Sequence, residues 1–308
     1  MSEQTAGVIH DIGYRHYDGP RLGRAYAVRA LTVHSLRGIF GLGRRARSKI
    51  IPFFLAAIML MVAVVSITMM ALLKQRGVSY TGLAVFMQVV LAIFLAAQSP
   101  SVVAPDLRYR VLPLYLSRPV TVIEYVGAKL AAMTIAMYLM VAVPLTLTFI
   151  GELLVSAGGP TQGGALMEGL PTTLEGAPQT KEYVAAMVMA LVLALLLASF
   201  GLALASFTPR RGLGVASVIA VYLLVSAVST ILYATMESMG NQSAGWAWLL
   251  NPFFLVDALQ VWLFGTPASA PDSTYPGAAG PVAALAIIAL IALGVAALIL
   301  RYRKAASR

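Results

Sequence analysis

Cysteine does not occur in this sequence of 308 residues, which excludes disulfide scaffolds, iron–sulfur clusters and thiolate zinc sites. Charge is scarce as well. Only 11% of the side chains are charged and 59% are apolar, where a soluble domain needs about 25% charged residues to cover its surface. With a mean hydropathy of +0.84, the chain has to turn much of its surface toward lipid. Histidine is limited to His10, His16 and His34, which lack the spacing and acidic company of a metal site. No Gly-x-x-x-x-Gly-Lys-Ser/Thr loop, no His-Glu-x-x-His and no Gly-x-Ser-x-Gly occurs, so the chain has no phosphate-cradling loop and neither of two common hydrolase signatures. No catalytic residue, cofactor site or metal site is expected on it.

What the sequence has instead is six apolar runs. A helix needs roughly 20 residues to cross a hydrocarbon core of about 30 Å, and runs of that length fall at 50–73, 78–103, 130–150, 183–207, 213–236 and 282–300. The third helix starts earlier, near 122, because Thr121 and Glu124 have the spacing of a capping box. The expectation is an all-α polytopic membrane protein with six transmembrane helices, in which residues 50–308 form the membrane domain. None of the uncharged runs contains Asp, Glu, Lys, Arg or His, which argues against an intramembrane protease or a proton-coupled carrier.

The net charge of +10 could attract a polyanion such as nucleic acid, so the placement of the 22 basic residues decides its meaning. All of them except Lys74, Arg76 and Lys181 lie before the first run, in the second and fourth connections, or after the last run. Cytoplasmic flanks retain Lys and Arg, so both termini are expected in the cytoplasm and nucleic acid is not expected as a partner. Lys74 and Arg76 run against this bias. Before the first run, residues 1–49 read as a cytosolic arm. Leu22, Tyr26, Val33, Leu36 and Phe40 share one helical face there, consistent with an interfacial helix or, failing that, an irregular basic arm.

The connection after the second run holds Asp106, Leu107, Arg108, Tyr109, Arg110, Leu114 and Arg118. Asp106 can cap a short amphipathic helix there, ended by Pro119. The bland reading is a loop resting on headgroups, and the sharper one is a helix that docks into a partner. This run, followed by Glu124-Tyr125 and Gly127-Ala128-Lys129-Leu130, resembles the segment between the second and third helices of type-2 ATP-binding-cassette exporter permeases, especially short actinobacterial-like members. Thr208-Pro209-Arg210-Arg211-Gly212 is similar to that family's second cytosolic contact, and Asn251-Pro252-Phe253-Phe254 to the segment before its last helix. The resemblance implies a plasma-membrane permease assembled as two permease chains, a second copy or a paralogue, with two ATPase subunits that bind ATP and magnesium. It implies that Asp106–Tyr109, Arg110, Leu114, Arg118, Arg210 and Arg211 contact the ATPase, and that Asn251, Pro252, Phe253, Phe254 and Asp257 build an outer gate. The family exports drugs, peptide antibiotics, lipids or glycans.

Met87, Gln88 and Tyr138 are the candidate substrate-path residues, because methionine surfaces adapt to varied apolar ligands and the runs carry no charge for a small ion. A membrane scaffold or non-transporting mechanical transmitter would use the same docking helix. The apolar stretch 246–264 resembles a seventh span, but a crossing there would carry Asn251-Pro252 and Asp257 into mid-bilayer and move the basic C terminus outside. It is expected to be a re-entrant pair of short helices broken at Pro252. The chain purified by itself should show no ATP turnover above a vector control in a phosphate-release assay. Robust turnover from a contaminant-free preparation would end the permease reading.

Overall fold

The computed structural model of the chain describes residues 19, 22–109, 120–157, 179–208, 210–241, 243–270 and 275–306. Among them, helix α1 (Arg24–Ile39) leads into α2 (Arg47–Leu73), the single turn α3 (Leu83–Phe86) and α4 (Gln88–Arg108). Then come α5 (Val122–Ala157), α6 (Thr180–Phe207) and α7 (Arg211–Ser238). A 3₁₀ segment (Ala244–Leu250), α8 (Pro252–Phe264) and α9 (Ala279–Ala306) complete the described chain. Six of these, α2, α4, α5, α6, α7 and α9, are long and apolar enough to cross a membrane. The protein is a multi-pass membrane protein of the all-helical class.

The helices outrun the uncharged stretches that announce them. Thr121 opens α5 as expected: its hydroxyl accepts from the Glu124 amide at 3.3 Å, while the Glu124 carboxylate accepts from the Thr121 amide at 2.7 Å. At the other end, α5 runs to Ala157 and carries Glu152 into the bundle. The second span begins later than expected, at Gln88. The chain turns at Met87, between α3 and α4, and only then enters the long helix.

Helices α4 and α6 form the centre of the bundle. Helix α6 packs against α4, α5, α7, α8 and α9, so alanine, serine and glycine recur along its inner faces. Gly201 and Gly294 show why. A Cβ on Gly201 would stand 2.6 Å from a methyl of Leu95, and one on Gly294 would stand 3.0 Å from the Ser199 carbonyl carbon. Small residues let these helices approach closely where solvent offers no hydrophobic drive. Met59, Met133 and Met137 are fully buried filler of the same core. By contrast, α2, α7 and α9 turn Val64, Val65, Leu223, Leu224, Ile231, Leu285, Ile288 and Leu293 outward, the apolar exterior of a lipid-facing bundle.

Helix α1 packs along the first turns of α5 and against α4. Its buried side is Ser35 and Ile39, with Leu31, Leu36 and Phe40 beside them, while Leu22, Tyr26 and Val33 are exposed. Packing within the bundle covers Leu36 and Phe40 of the expected apolar face and leaves Tyr26 and Val33 on the open side together with Arg29 and Arg37. Gly41, at φ +66°, closes the tight turn into α2, and a Cβ there would strike the Ser48 carbonyl oxygen at 2.6 Å.

The 3₁₀ segment and α8 meet at an angle of 118°. Pro252 takes the first position of α8 and Asn251 caps it, the Asn251 side-chain oxygen accepting from the Phe253 amide at 3.0 Å. Trp248 is buried between Tyr233 and Phe254, with ring centroids at 4.7 and 4.5 Å, and so belongs to the core. Trp262, by contrast, is half exposed, as aromatic side chains at a membrane–water interface are. Overpacking a core costs about 1–3 kcal/mol, so Gly294→Val should lower the unfolding temperature of the detergent-purified protein, while Gly277→Val, with open space around it, should leave it unchanged.

Candidate functional site

Ionisable side chains gather at the two ends of the bundle. The near end is the one where α4 stops, α5 starts, and α6 and α9 finish. There Asp106 lies inside the last turns of α4, only 8% exposed, and does not cap a separate helix. Its Oδ2 accepts from the Tyr125 hydroxyl at 2.6 Å and pairs with Lys129 Nζ at 3.0 Å. Lys129 also donates to the Val102 carbonyl at 3.1 Å and lies over the Tyr125 ring. Tyr125 and Lys129 sit four apart on one face of α5, so both reach the same carboxylate. The ring of Tyr302 on α9 packs 5.7 Å from that of Tyr125, and Arg301 Nε donates to the Ser206 carbonyl at the end of α6. Outside this knot, Arg24 of α1 pairs with Glu124 at 3.2 Å.

Beyond the clamp, the expected docking residues separate. Leu107 is half buried against the core, whereas Arg108 and Tyr109 are exposed, Tyr109 at 68%, with the guanidinium of Arg108 over the Tyr109 ring. An apolar knob on this helix end is therefore Tyr109 and not Leu107. Arg110, Leu114 and Arg118 lie outside the described residues. Arg210 precedes α7 and is exposed, and Arg211 opens that helix.

The far end holds two polar clusters, one around Glu152 and one around the expected gate residue Asp257, whose partners the sequence did not announce. Glu152 is 0% exposed and binds Arg76 at 2.8 Å, the Tyr80 hydroxyl at 2.6 Å and, at 3.4 Å, the Gln179 amide. This removes the anomaly of Arg76, whose charge is neutralised within the fold. Burial, and then the hydrogen bond to Glu152, pushes the Tyr80 hydroxyl well above the ordinary phenol range, so it remains a donor. Asp257 on α8 is 2% exposed, and its carboxylate accepts from the Ser269 hydroxyl and amide at 2.7 and 2.9 Å and from the Tyr275 hydroxyl at 2.7 Å. Burial and the adjacent carboxylate push Tyr275 up in the same way.

Asn251 ties the bent pair to the bundle, its amide donating to Gln88 Oε1 at 3.2 Å and reaching Ser226 Oγ at 3.3 Å. Two expected sets, the outer gate and the substrate path, thus meet at Asn251 and Gln88. Met87 is buried at the turn before α4, and Tyr138 is half buried on α5. An apolar cavity of about 230 Å³ lies between α4, α6, α7 and α9 beneath the bend, lined by Leu95, Leu197, Phe200, Tyr222, Phe253 and Leu290 among others. Met87, Gln88 and Tyr138 do not line it. Among the described residues, no group of three His, Asp or Glu side chains is placed to hold a metal.

A hint of the missed pairs was present in the sequence. Arg76 and Glu152 are isolated charges just beyond apolar runs, where a lone charge needs a partner. Lys129 and Asp106 bracket the same connection. No protein-family model matches the chain, and no curated protein matches it in sequence.

The clamp yields a double-mutant test. Removing one member of a buried pair strands the other charge, and the documented cost is about 3–5 kcal/mol, of which roughly 2–4 kcal/mol is expected here because both side chains keep a little exposure. Lys129→Met should destabilise the purified protein by that amount, and Asp106→Asn in the same chain should recover part of the loss. Additive losses would show that the two side chains do not act as a pair.

Proposed function

We propose that the chain is the transmembrane permease subunit of an ATP-binding-cassette exporter. In this reading two copies, or this chain and a paralogue, assemble with two separate ATPase subunits that bind ATP and magnesium, and the complex moves an amphipathic or lipophilic substrate outward. The basic near end then faces the cytoplasm with both termini, and the far end with its bent, non-crossing helix pair faces outside.

The observation that carries the reading is the clamp at the near end. The connection from Tyr109 to Val120 leaves one helix and joins the next directly beside the Asp106–Tyr125–Lys129 knot. A push on that connection cannot be absorbed by splaying α4 from α5 without stranding a carboxylate in an apolar setting. The displacement therefore passes to α4 and α5 together. Helix α4 packs on α6 and α7, which line the apolar cavity, and its N-terminal Gln88 is bonded to Asn251 at the bend. In this reading α4 runs from the docking end past the helices that line the cavity to the far-end cap. The cavity lining is apolar apart from the Tyr222 hydroxyl, which suits a lipophilic cargo better than an ion.

Tyr109→Asp is expected to weaken co-purification of a co-expressed ATPase, since an exposed aromatic knob at an interface is worth about 2 kcal/mol or more. The same variant should lose substrate-stimulated ATP hydrolysis and dye or peptide export in reconstituted vesicles while its unfolding temperature stays at the wild-type value. Hydrolysis without transport of any compound by the wild-type complex would instead identify a mechanical transmitter. Unchanged co-purification and transport in the variant would move the docking contact to Arg210 and Arg211.

A further inference from the structure

The open side of α1 forms a groove with no counterpart in the permease reading. Arg29 and His34, with Arg37 one turn further on, line it from the helix, and Arg44 closes it from the turn before α2, its guanidinium folded back to within 3.6 Å of where a Cβ on Gly38 would stand. Between the guanidinium groups lie the exposed apolar side chains of Tyr26, Val33 and Leu42. The groove encloses about 630 Å³. Among the described residues no carboxylate lines it, and Arg29, Arg37 and Arg44 have no ion-pair partner, whereas Arg24 on the same helix is paired with Glu124. A few residues further on, α2 turns Ile50, Ile51, Phe53 and Phe54 outward, so the groove sits where the apolar exterior begins.

We propose that this groove binds the headgroup of an anionic phospholipid. Three unpaired guanidinium groups match a phosphodiester, since Arg forms bidentate charge-assisted hydrogen bonds to phosphate oxygens. The interleaved Tyr26, Val33 and Leu42 give the glycerol backbone and the start of the acyl chains an apolar seat, which a free phosphate or a nucleotide would leave uncovered. The level of the groove, beside the first outward-facing turns of α2, is that of lipid headgroups. The bound lipid joins α1 to the turn before α2 and so fixes the slant of α1 against α5.

The test uses the full chain purified in a mild detergent, titrated with an equimolar mixture of dioleoyl phosphatidylglycerol and dioleoyl phosphatidylcholine, with retained lipids counted by native mass spectrometry. The wild type should retain phosphatidylglycerol preferentially. The triple variant Arg29→Gln, Arg37→Gln, Arg44→Gln should lose that preference by at least about tenfold, since each basic residue near an anionic lipid surface contributes roughly a fivefold factor before screening. The charge-matched control Arg108→Gln, Arg210→Gln, Arg303→Gln, at the same end but outside the groove, should keep it. Should the triple glutamine variant fail to fold, Arg→Lys at the same three positions keeps the charge without the bidentate geometry and should show a reduced preference for phosphatidylglycerol. A preference that survives both groove variants overturns the proposal, as does equal loss in the control. Displacement of the lipid by millimolar inorganic phosphate alone would replace it with a site for free anions.

Discussion

A bundle whose exterior is lipid-facing and whose core is Ala, Leu and Met can hold a charge only where that charge is paired or can reach the bundle's ends. This constraint organises the molecule. Asp106 and Lys129 neutralise each other where α4 meets α5, and Glu152 and Arg76 do so at the opposite end. Among the described residues Asp257 has no cation beside it and is held by three hydrogen bonds from Ser269 and Tyr275. Between these end clusters the helices pack through small residues, Gly201 on Leu95 and Gly294 on Ser199, with no ionisable group in the contact. The middle supplies close packing and a cavity, while the ends supply the fixed points between which a displacement can be passed.

The two ends differ in kind, and the proposed function depends on that difference. At the near end the clamp lies beneath a connection that presents Arg108 and Tyr109 outward, so a partner pushing there would move two helices as one. At the far end the bonds of Asn251 to Gln88 and Ser226, and of Asp257 to Ser269 and Tyr275, hold a bent pair of short helices over the apolar cavity. Asn251 has neutral partners at 3.2 and 3.3 Å, a weaker attachment than the charged clamp. In a permease, that would let the far-end cap shift while the docking end stays intact.

The features legible in the sequence were those set by local chain chemistry. Uninterrupted apolar length gave six helices, Thr121 and Glu124 gave the start of α5, and Asn251-Pro252 gave the break before α8. The features that escaped were set by packing register. Asp106 reads as a cap from its neighbours alone, yet it serves as an ion-pair partner because α5 brings Tyr125 and Lys129 alongside it. Arg76 reads as an exception to the charge rule until Glu152, 76 positions away, is seen beside it. The apolar stripe expected on α1 is divided for the same reason: periodicity finds a face, but the neighbouring helices decide that Leu36 and Phe40 are covered while Leu22, Tyr26 and Val33 stay open. Leu107, in the last turn of α4, and Tyr109, just past its end, are likewise told apart only by burial.

The clamp, α1 and the end of α9 share one face of the membrane only if the bent pair remains on one side of it. The absence of native cysteine makes this directly measurable. Met239, at the end of α7, and Gly277, just before α9, are both exposed and flank the bent pair. Met239→Cys and Gly277→Cys, expressed singly in intact cells and treated with an impermeant thiol reagent, should both be labelled from outside, while Arg303→Cys is labelled only after permeabilisation. Labelling of Met239→Cys and Gly277→Cys from opposite sides would establish a seventh crossing and contradict the account.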